Sequence, residues 1–297
     1  MKEIGDIIRE FERRRGEPMA LATLVRARGS SYRRPGARML ITAEGQTVGS
    51  LSGGCLEEEV AGRGRAILRT GDTELMTFDT RRRFGCNGAL EILVERADDS
   101  FLTELSANYH ARQPCLISTT TEGGSRLVRD SVPIEAAFLQ RIEPPPQLLV
   151  FGNGSDGDAL CDMARILGWP ARVHESASEL EESYDPWTAA VVKTHNYGRD
   201  FAILRALFAH DLRYIGLMGP RTRREQLIGD LLDTGVAPGP NLFAPAGIDL
   251  GASAPETIAL AIVAEIQAVF GGGSGEFLRE RKAPIHASRA ATEVALP

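Results

Sequence analysis

The sequence predicts an α/β protein, with a mixed α+β N-terminal domain followed by a C-terminal Rossmann-like domain on a parallel sheet. Three observations carry this. The first is the stretch LLVFGNGSDG at residues 148–157, where an apolar run breaks into a G-x-G-x-x-G turn. Ala159, Leu160, Met163, Ile166 and Leu167 then recur at helical spacing, and strand, glycine turn and helix in that order are the context of a dinucleotide fingerprint. The second is the alternation of strand and helix patterns beyond residue 148, which a parallel sheet with crossover helices requires. The third is Pro144-Pro145-Pro146, a stiff spacer that neither a helix nor a central strand tolerates. Two domains, 1–143 and 144–297, follow, and 297 residues suit that number.

The elements read in order as follows. Residues 3–15 form an amphipathic helix with Ile4, Ile7, Ile8 and Phe11 on one face, stopped by Gly16-Glu17-Pro18. Strands fit 19–28, 37–42 and 46–51, the last two joined by a hairpin at Glu44-Gly45. Ser52-Gly53-Gly54-Cys55 leads into a helix over 56–69, whose first turn carries Glu57, Glu58 and Glu59, a placement that suits the helix dipole. Strands fit 74–78, 89–95 and 115–120, and a helix fits 99–112; residues 130–147 show no periodicity. Beyond the glycine turn, strands fit 171–175, 188–192 and 214–217, and helices fit 199–209, 223–232 and 255–270.

Composition narrows the function. A net charge of −6 speaks against a nucleic-acid binder, which needs a basic excess to neutralise phosphates. No apolar run approaches 18 residues, so no membrane span is expected. The N-terminus carries no signal-peptide pattern, and a cytoplasmic, reducing location is expected. The four cysteines, Cys55, Cys86, Cys115 and Cys161, are then read as free thiols. None forms a C-x-x-C pair, so no structural zinc site is read.

In an open parallel sheet, ligands lie beyond the carboxyl ends of the strands. The glycine turn falls there: Gly152 for the tight bend, Gly154 for close approach of a pyrophosphate, Gly157 for helix–strand packing. Glu175 ends the second strand, where an acid binds a ribose hydroxyl. His195 can hydrogen-bond a ligand or move a proton, and Arg221, at a helix start, can grip a phosphate in bidentate fashion. In the first domain, Cys55 lies at a predicted helix N-terminus, which favours a thiolate able to bind a soft metal or carry sulfur. Cys86 lies in a glycine-flanked loop after Arg81-Arg82-Arg83. Arg33, Arg34 and Arg38, with Ser30-Ser31, can form an anion cradle, or simply a solvated basic loop. Cys115 and Cys161 are read as small buried hydrophobes.

Taken together, these segments resemble the XdhC/CoxI family, accessory proteins of molybdenum hydroxylases such as xanthine dehydrogenase. The resemblance rests on Gly29-Ser30-Ser31 through Arg34-Pro35-Gly36-Ala37-Arg38-Met39, on Ser52-Gly53-Gly54-Cys55-Leu56-Glu57, and on Gly85-Cys86-Asn87-Gly88 followed by Glu91-Ile92-Leu93-Val94-Glu95. It continues in Thr194-His195-Asn196, Tyr214 to Arg221, Pro245 to Ala252 and Arg279-Glu280-Arg281-Lys282. The family's glycine turn usually reads G-A-G-P-D-A; here it is Gly152-Asn153-Gly154-Ser155-Asp156-Gly157, with the polar Asn153 at the phosphate edge.

The resemblance implies a chaperone that binds the molybdenum cofactor, as molybdopterin or its dinucleotide form, protects it during sulfuration and inserts it into an apo molybdenum hydroxylase. A cysteine desulfurase is the implied second partner, and a homodimer is compatible with the resemblance. Cys55 and Cys86 are expected at the metal end of the cofactor, and Arg34 and the glycine-turn residues at its phosphates. The alternative is an NAD(P)-dependent oxidoreductase using the glycine turn, Glu175 and His195. A third reading is a nucleotide-sensing scaffold without chemistry.

Overall fold

The computed structural model describes residues 2–29, 31–79, 88–129, 138–280 and 282. Two compact units meet in sequence at Pro144 and Pro145, inside the proline run.

The first unit holds two antiparallel sheets. The larger has strand order β3-β2-β1-β5-β4, formed by β1 (Met19–Gly29), β2 (Arg38–Thr42), β3 (Thr47–Gly49), β4 (Glu74–Asp79) and β5 (Gly88–Arg96). Both its faces are covered. On one, Ala20, Ala22, Leu24, Met39, Ile41, Ile92 and Val94 pack against Val60 and Ile67 of α2 (Glu57–Thr70). Gly64 makes that approach possible, because a Cβ there would lie 2.6 Å from Ile41 Cδ1. On the other, Met19, Leu21 and Leu40 meet Ile4, Ile7, Ile8 and Phe11 of α1 (Lys2–Arg13) and Phe101, Leu102 and Leu105 of α3 (Asp99–His110). Each fully buried side chain of this kind contributes roughly 1.5–3 kcal/mol.

The smaller sheet, order β7-β6-β8, combines β6 (Cys115–Thr120), β7 (Gly124–Val128) and β8 (Phe138–Ile142). The sequence pattern marks only β6. β7 and β8 carry no clean alternation; β6 selects them by pairing antiparallel on both of its edges.

The second unit is a five-stranded, wholly parallel sheet in the order β10-β9-β11-β12-β13, built from β9 (Gln147–Phe151), β10 (Ala171–His174), β11 (Thr188–Val192), β12 (Tyr214–Leu217) and β13 (Leu242–Phe243). Strands buried on both faces read as unbroken apolar runs, as TAAVV of β11 does. Helices α4 (Ser155–Ile166) and α7 (Pro255–Gly271) cover one face through Leu160, Ala164, Ile262, Val263 and Ile266. Helices α5 (Tyr197–Leu207) and α6 (Arg221–Asp233) cover the other through Ile203, Leu204, Leu207, Leu227 and Leu231. The chain leaves β9 for β10 on one side and later enters β11 on the other, so the topological switch point lies between the carboxyl ends of β9 and β11. No helix among the described residues is long and apolar enough to cross a membrane.

Candidate functional site

The loop before α2 is folded around a carboxylate. Glu57 Oε1 accepts from Ser50 Oγ (2.8 Å) and from the backbone N–H groups of Leu51 (3.0 Å), Ser52 (2.9 Å) and Gly53 (3.1 Å). Its Oε2 accepts from Ser52 Oγ (2.8 Å), Gly54 N–H (2.9 Å) and Leu56 N–H (3.0 Å). Gly53 and Gly54 adopt φ of +87° and +118°, which turns their N–H groups inward where a side-chain residue would be strained. Partial burial alone would raise the Glu57 pKa, but hydrogen bonds from Ser52, Ser50 and the loop backbone outweigh it and hold the carboxyl well below the ordinary range.

Cys55 sits on this pinned loop as an exposed free thiol. The sequence pattern aims the helix-start donors at a Cys55 thiolate; the helix in fact begins at Glu57, and the donors of that turn are engaged by the Glu57 carboxylate. Cys86, its expected partner, lies outside the described residues, as do Ser30 and Arg81–Arg83. No cluster of three or more metal-ligating side chains occurs among the described residues. Cys115 and Cys161 are half-buried rather than buried, and desolvation pushes both thiols up.

The arginine-rich loop divides its cations. Arg34 is exposed, and Arg33 pairs with Glu3. Arg38 departs from the expected cradle: it is fully buried, because β2 turns it toward the inside of the unit. Its Nη1 donates to Gly36 O (3.3 Å) and to Gln140 Oε1, while Nε and Nη2 have no hydrogen-bond partner among the described residues. Burial pushes its pKa down to about 10, still charged at neutral pH. Tyr32 of this loop packs on the Cys55 loop, since a Cβ on Gly53 would lie 3.2 Å from Tyr32 Cδ1.

In the second unit, the glycine turn closes on a cation that the sequence pattern does not mark. Lys193, fully buried just beyond β11, donates from Nζ to Asn153 O (2.8 Å) and Gly152 O (3.3 Å) and pairs with Asp156 Oδ1 at 3.1 Å. A Cβ on Gly152, where φ is +114°, would stand 2.8 Å from Lys193 O, so only glycine fits. Asn153 Nδ2 donates to Glu175 Oε1 at 3.0 Å. The structure thus joins Gly152, Asn153, Gly154, Gly157 and Glu175 around Lys193, at the switch point. The signal that could have found Lys193 is its place: a lysine ending an otherwise apolar strand beside the fingerprint strand.

His195 and Arg221 are both exposed, one after β11 and one at the first turn of α6; no hydrogen bond joins them to the glycine turn among the described residues. His195 takes a left-handed φ of +56°, uncommon for a residue with a side chain. Its loop is held by the buried Asp200, which accepts from Thr194 N–H (3.2 Å) and Oγ1 (2.6 Å) and pairs with Arg223 at 2.5 Å. Neither Asp200 nor Arg223 stands out in the sequence; together they tie the loop after β11 to α6.

Residues 12–79 match the XdhC and CoxI family model, and residues 148–266 match the XdhC Rossmann domain model. The chain is 31% identical to a probable xanthine dehydrogenase subunit of Bacillus subtilis, covering 84% of this chain and 92% of that protein. It is 23% identical to the molybdenum cofactor insertion chaperone PaoD of Escherichia coli, over 86% of this chain and 84% of the other. A crystal structure titled as a xanthine dehydrogenase from Bacillus halodurans shares the fold, with a TM-score of 0.79, 22% identity and 99% of this chain and 100% of that chain covered.

Proposed function

The chain belongs to the XdhC and CoxI family, and from that premise we propose that it is a chaperone for the molybdenum cofactor, carrying it to an apo molybdenum hydroxylase of the xanthine dehydrogenase type. The observation that carries this reading is Cys55: an exposed thiol on a loop fixed by a carboxylate holding seven hydrogen bonds. A cargo chaperone needs a soft donor that is reachable from solvent yet held in one place. An exposed thiol fits the cargo's metal, since thiolate is a soft ligand. Cys86 is the proposed second thiol, and Arg34 a phosphate ligand.

The glycine turn is, in this reading, a nucleotide site of the second unit considered by itself. Gly152, Gly154 and Gly157 shape it, Asn153 with Glu175 forms its polar edge, and His195 and Arg221 stand at neighbouring strand ends. Either the dinucleotide form of the cofactor or NAD(P) suits such a turn by its fold; direct titration of NAD(H) and NADP(H) separates them. A cysteine desulfurase supplies sulfur in this reading, the protein works in the cytoplasm, and a homodimer is its working form, checked by light scattering.

The deciding experiment is delivery. The purified chain is loaded anaerobically with molybdenum cofactor and mixed with an apo-hydroxylase. Hydroxylase activity rising with the amount of loaded chain supports the proposal. Loaded chain that activates no better than free cofactor, or a chain that oxidises NAD(P)H with no cofactor bound, overturns it.

A further inference from the structure

The first unit contains a cavity of about 420 Å³ lined by Tyr32, Arg33, Arg34, Gly36, Gln140 and Arg141, a size that serves small molecules. Three arginines, Arg33, Arg34 and Arg141, are among its lining residues, in a protein whose net charge is −6. The carboxylate on its wall, Glu3, is engaged on both oxygens, one by Arg38 N–H at 2.8 Å and the other by Arg33. A fourth cation stands behind the cavity: the fully buried Arg38 is bonded to Gly36 O and Gln140, both of which line it, and no carboxylate among the described residues bonds its guanidinium. The Glu95 and Glu3 carboxylates act on it through space and offset part of its charge. Tyr32, 78% exposed, stands at the edge and offers a ring face.

We propose that this cavity binds a phosphate monoester carried on a planar ring, with the phosphate among Arg33, Arg34 and Arg141 and the ring against Tyr32. A monoester is close to doubly charged at neutral pH, and arginine forks match its oxygens. This deepens, and in its biological form rests on, the reading of the chain as a cofactor chaperone. Tyr32 both lines the cavity and packs on Gly53 of the loop that carries Cys55.

The test uses the full chain and flavin mononucleotide, a fluorescent phosphate monoester on a planar ring, with riboflavin as the phosphate-free control. Flavin mononucleotide should bind at least about tenfold more tightly than riboflavin, the scale of one or two charge-assisted hydrogen bonds, and more weakly as salt rises. Combining Arg34→Gln with Arg141→Gln, both exposed, should weaken binding by about tenfold or more. Combining Arg165→Gln with Arg172→Gln, which removes the same charge from the second unit, should leave it unchanged. No binding, equal affinity for the two flavins, or equal effects of the two double variants overturns the proposal. The chaperone reading is judged separately, by molybdenum retention and delivery, and either can fail alone.

Discussion

Two glycine-rich turns precede helices in this molecule, and they are folded in opposite senses. The turn before α2 points backbone N–H groups inward onto the Glu57 carboxylate. The turn before α4 points carbonyl oxygens inward onto the Lys193 ammonium. In the first, an internal anion saturates a nest that would otherwise attract a ligand anion, and what the turn presents to solvent is the Cys55 side chain. In the second, an internal cation takes up the carbonyls of Gly152 and Asn153, and the Gly152 N–H is spent on His174 O at 3.0 Å. A glycine motif before a helix therefore does not state its ligand; the charge that the protein supplies to the inside of the turn decides it.

The strongest way to break this contrast is to remove the internal ions. Lys193→Met leaves Asp156 and two carbonyls without their cation, and breaking a pair buried on one side costs about 3–5 kcal/mol; urea denaturation should show the loss, and adding Asp156→Asn should recover part of it. Glu57→Gln keeps the shape but removes the charge and turns an amide N–H toward backbone donors. A loss of about 2–3 kcal/mol is expected, read the same way, with faster modification of Cys55 by a thiol reagent as the loop loosens.

The pH dependence of that second effect has a defined sign. The folded Glu57 pKa lies below its unfolded value, so its contribution is fully present above the ordinary carboxylate range and is lost as pH falls from there toward the folded value. The stability gap between the native protein and Glu57→Gln should narrow on acidification below about pH 4.5. A gap that is constant with pH would mean that the loop does not depend on the charge.

Smaller effects sharpen the comparison. Gly152→Ala places a Cβ against Lys193 O at an unfavourable φ and should cost about 2 kcal/mol, whereas Gly54→Ala meets no atom within 4 Å and suffers only from its φ of +118°, about 1 kcal/mol. Paired thermal melts would rank them. Asp200→Asn should cost about 1–2 kcal/mol and free the His195 loop, visible as faster amide exchange at Thr194 and Asn196.

The second unit was the more legible in the sequence. Its central strands β9, β11 and β12 are apolar runs because both faces are covered, and they fall where the pattern places them. The turn-and-acid signature of Gly152 to Glu175 is local, so it survives in one dimension. What escaped there was Lys193, whose role depends on β9 and β11 lying side by side. The first unit was harder. β7 and β8 exist through pairing on β6, Arg38 belongs to an exposed-looking basic run yet points inward from β2, and Glu57 looks like one of three dipole acids until the backbone of Ser50 to Leu56 closes around it. Local chemistry located Cys55; only the fold shows what fixes its loop.

Where the metal is held is tested most directly by the molybdenum bound per chain after anaerobic loading and gel filtration. The measurement would be made on the native protein, on Cys55→Ser and on Gly152→Ala. If Cys55 holds the metal, Cys55→Ser loses most of its molybdenum while Gly152→Ala, once folded, keeps it. Full retention by Cys55→Ser, with loss in Gly152→Ala, would contradict this and move the metal to the glycine turn of the second unit.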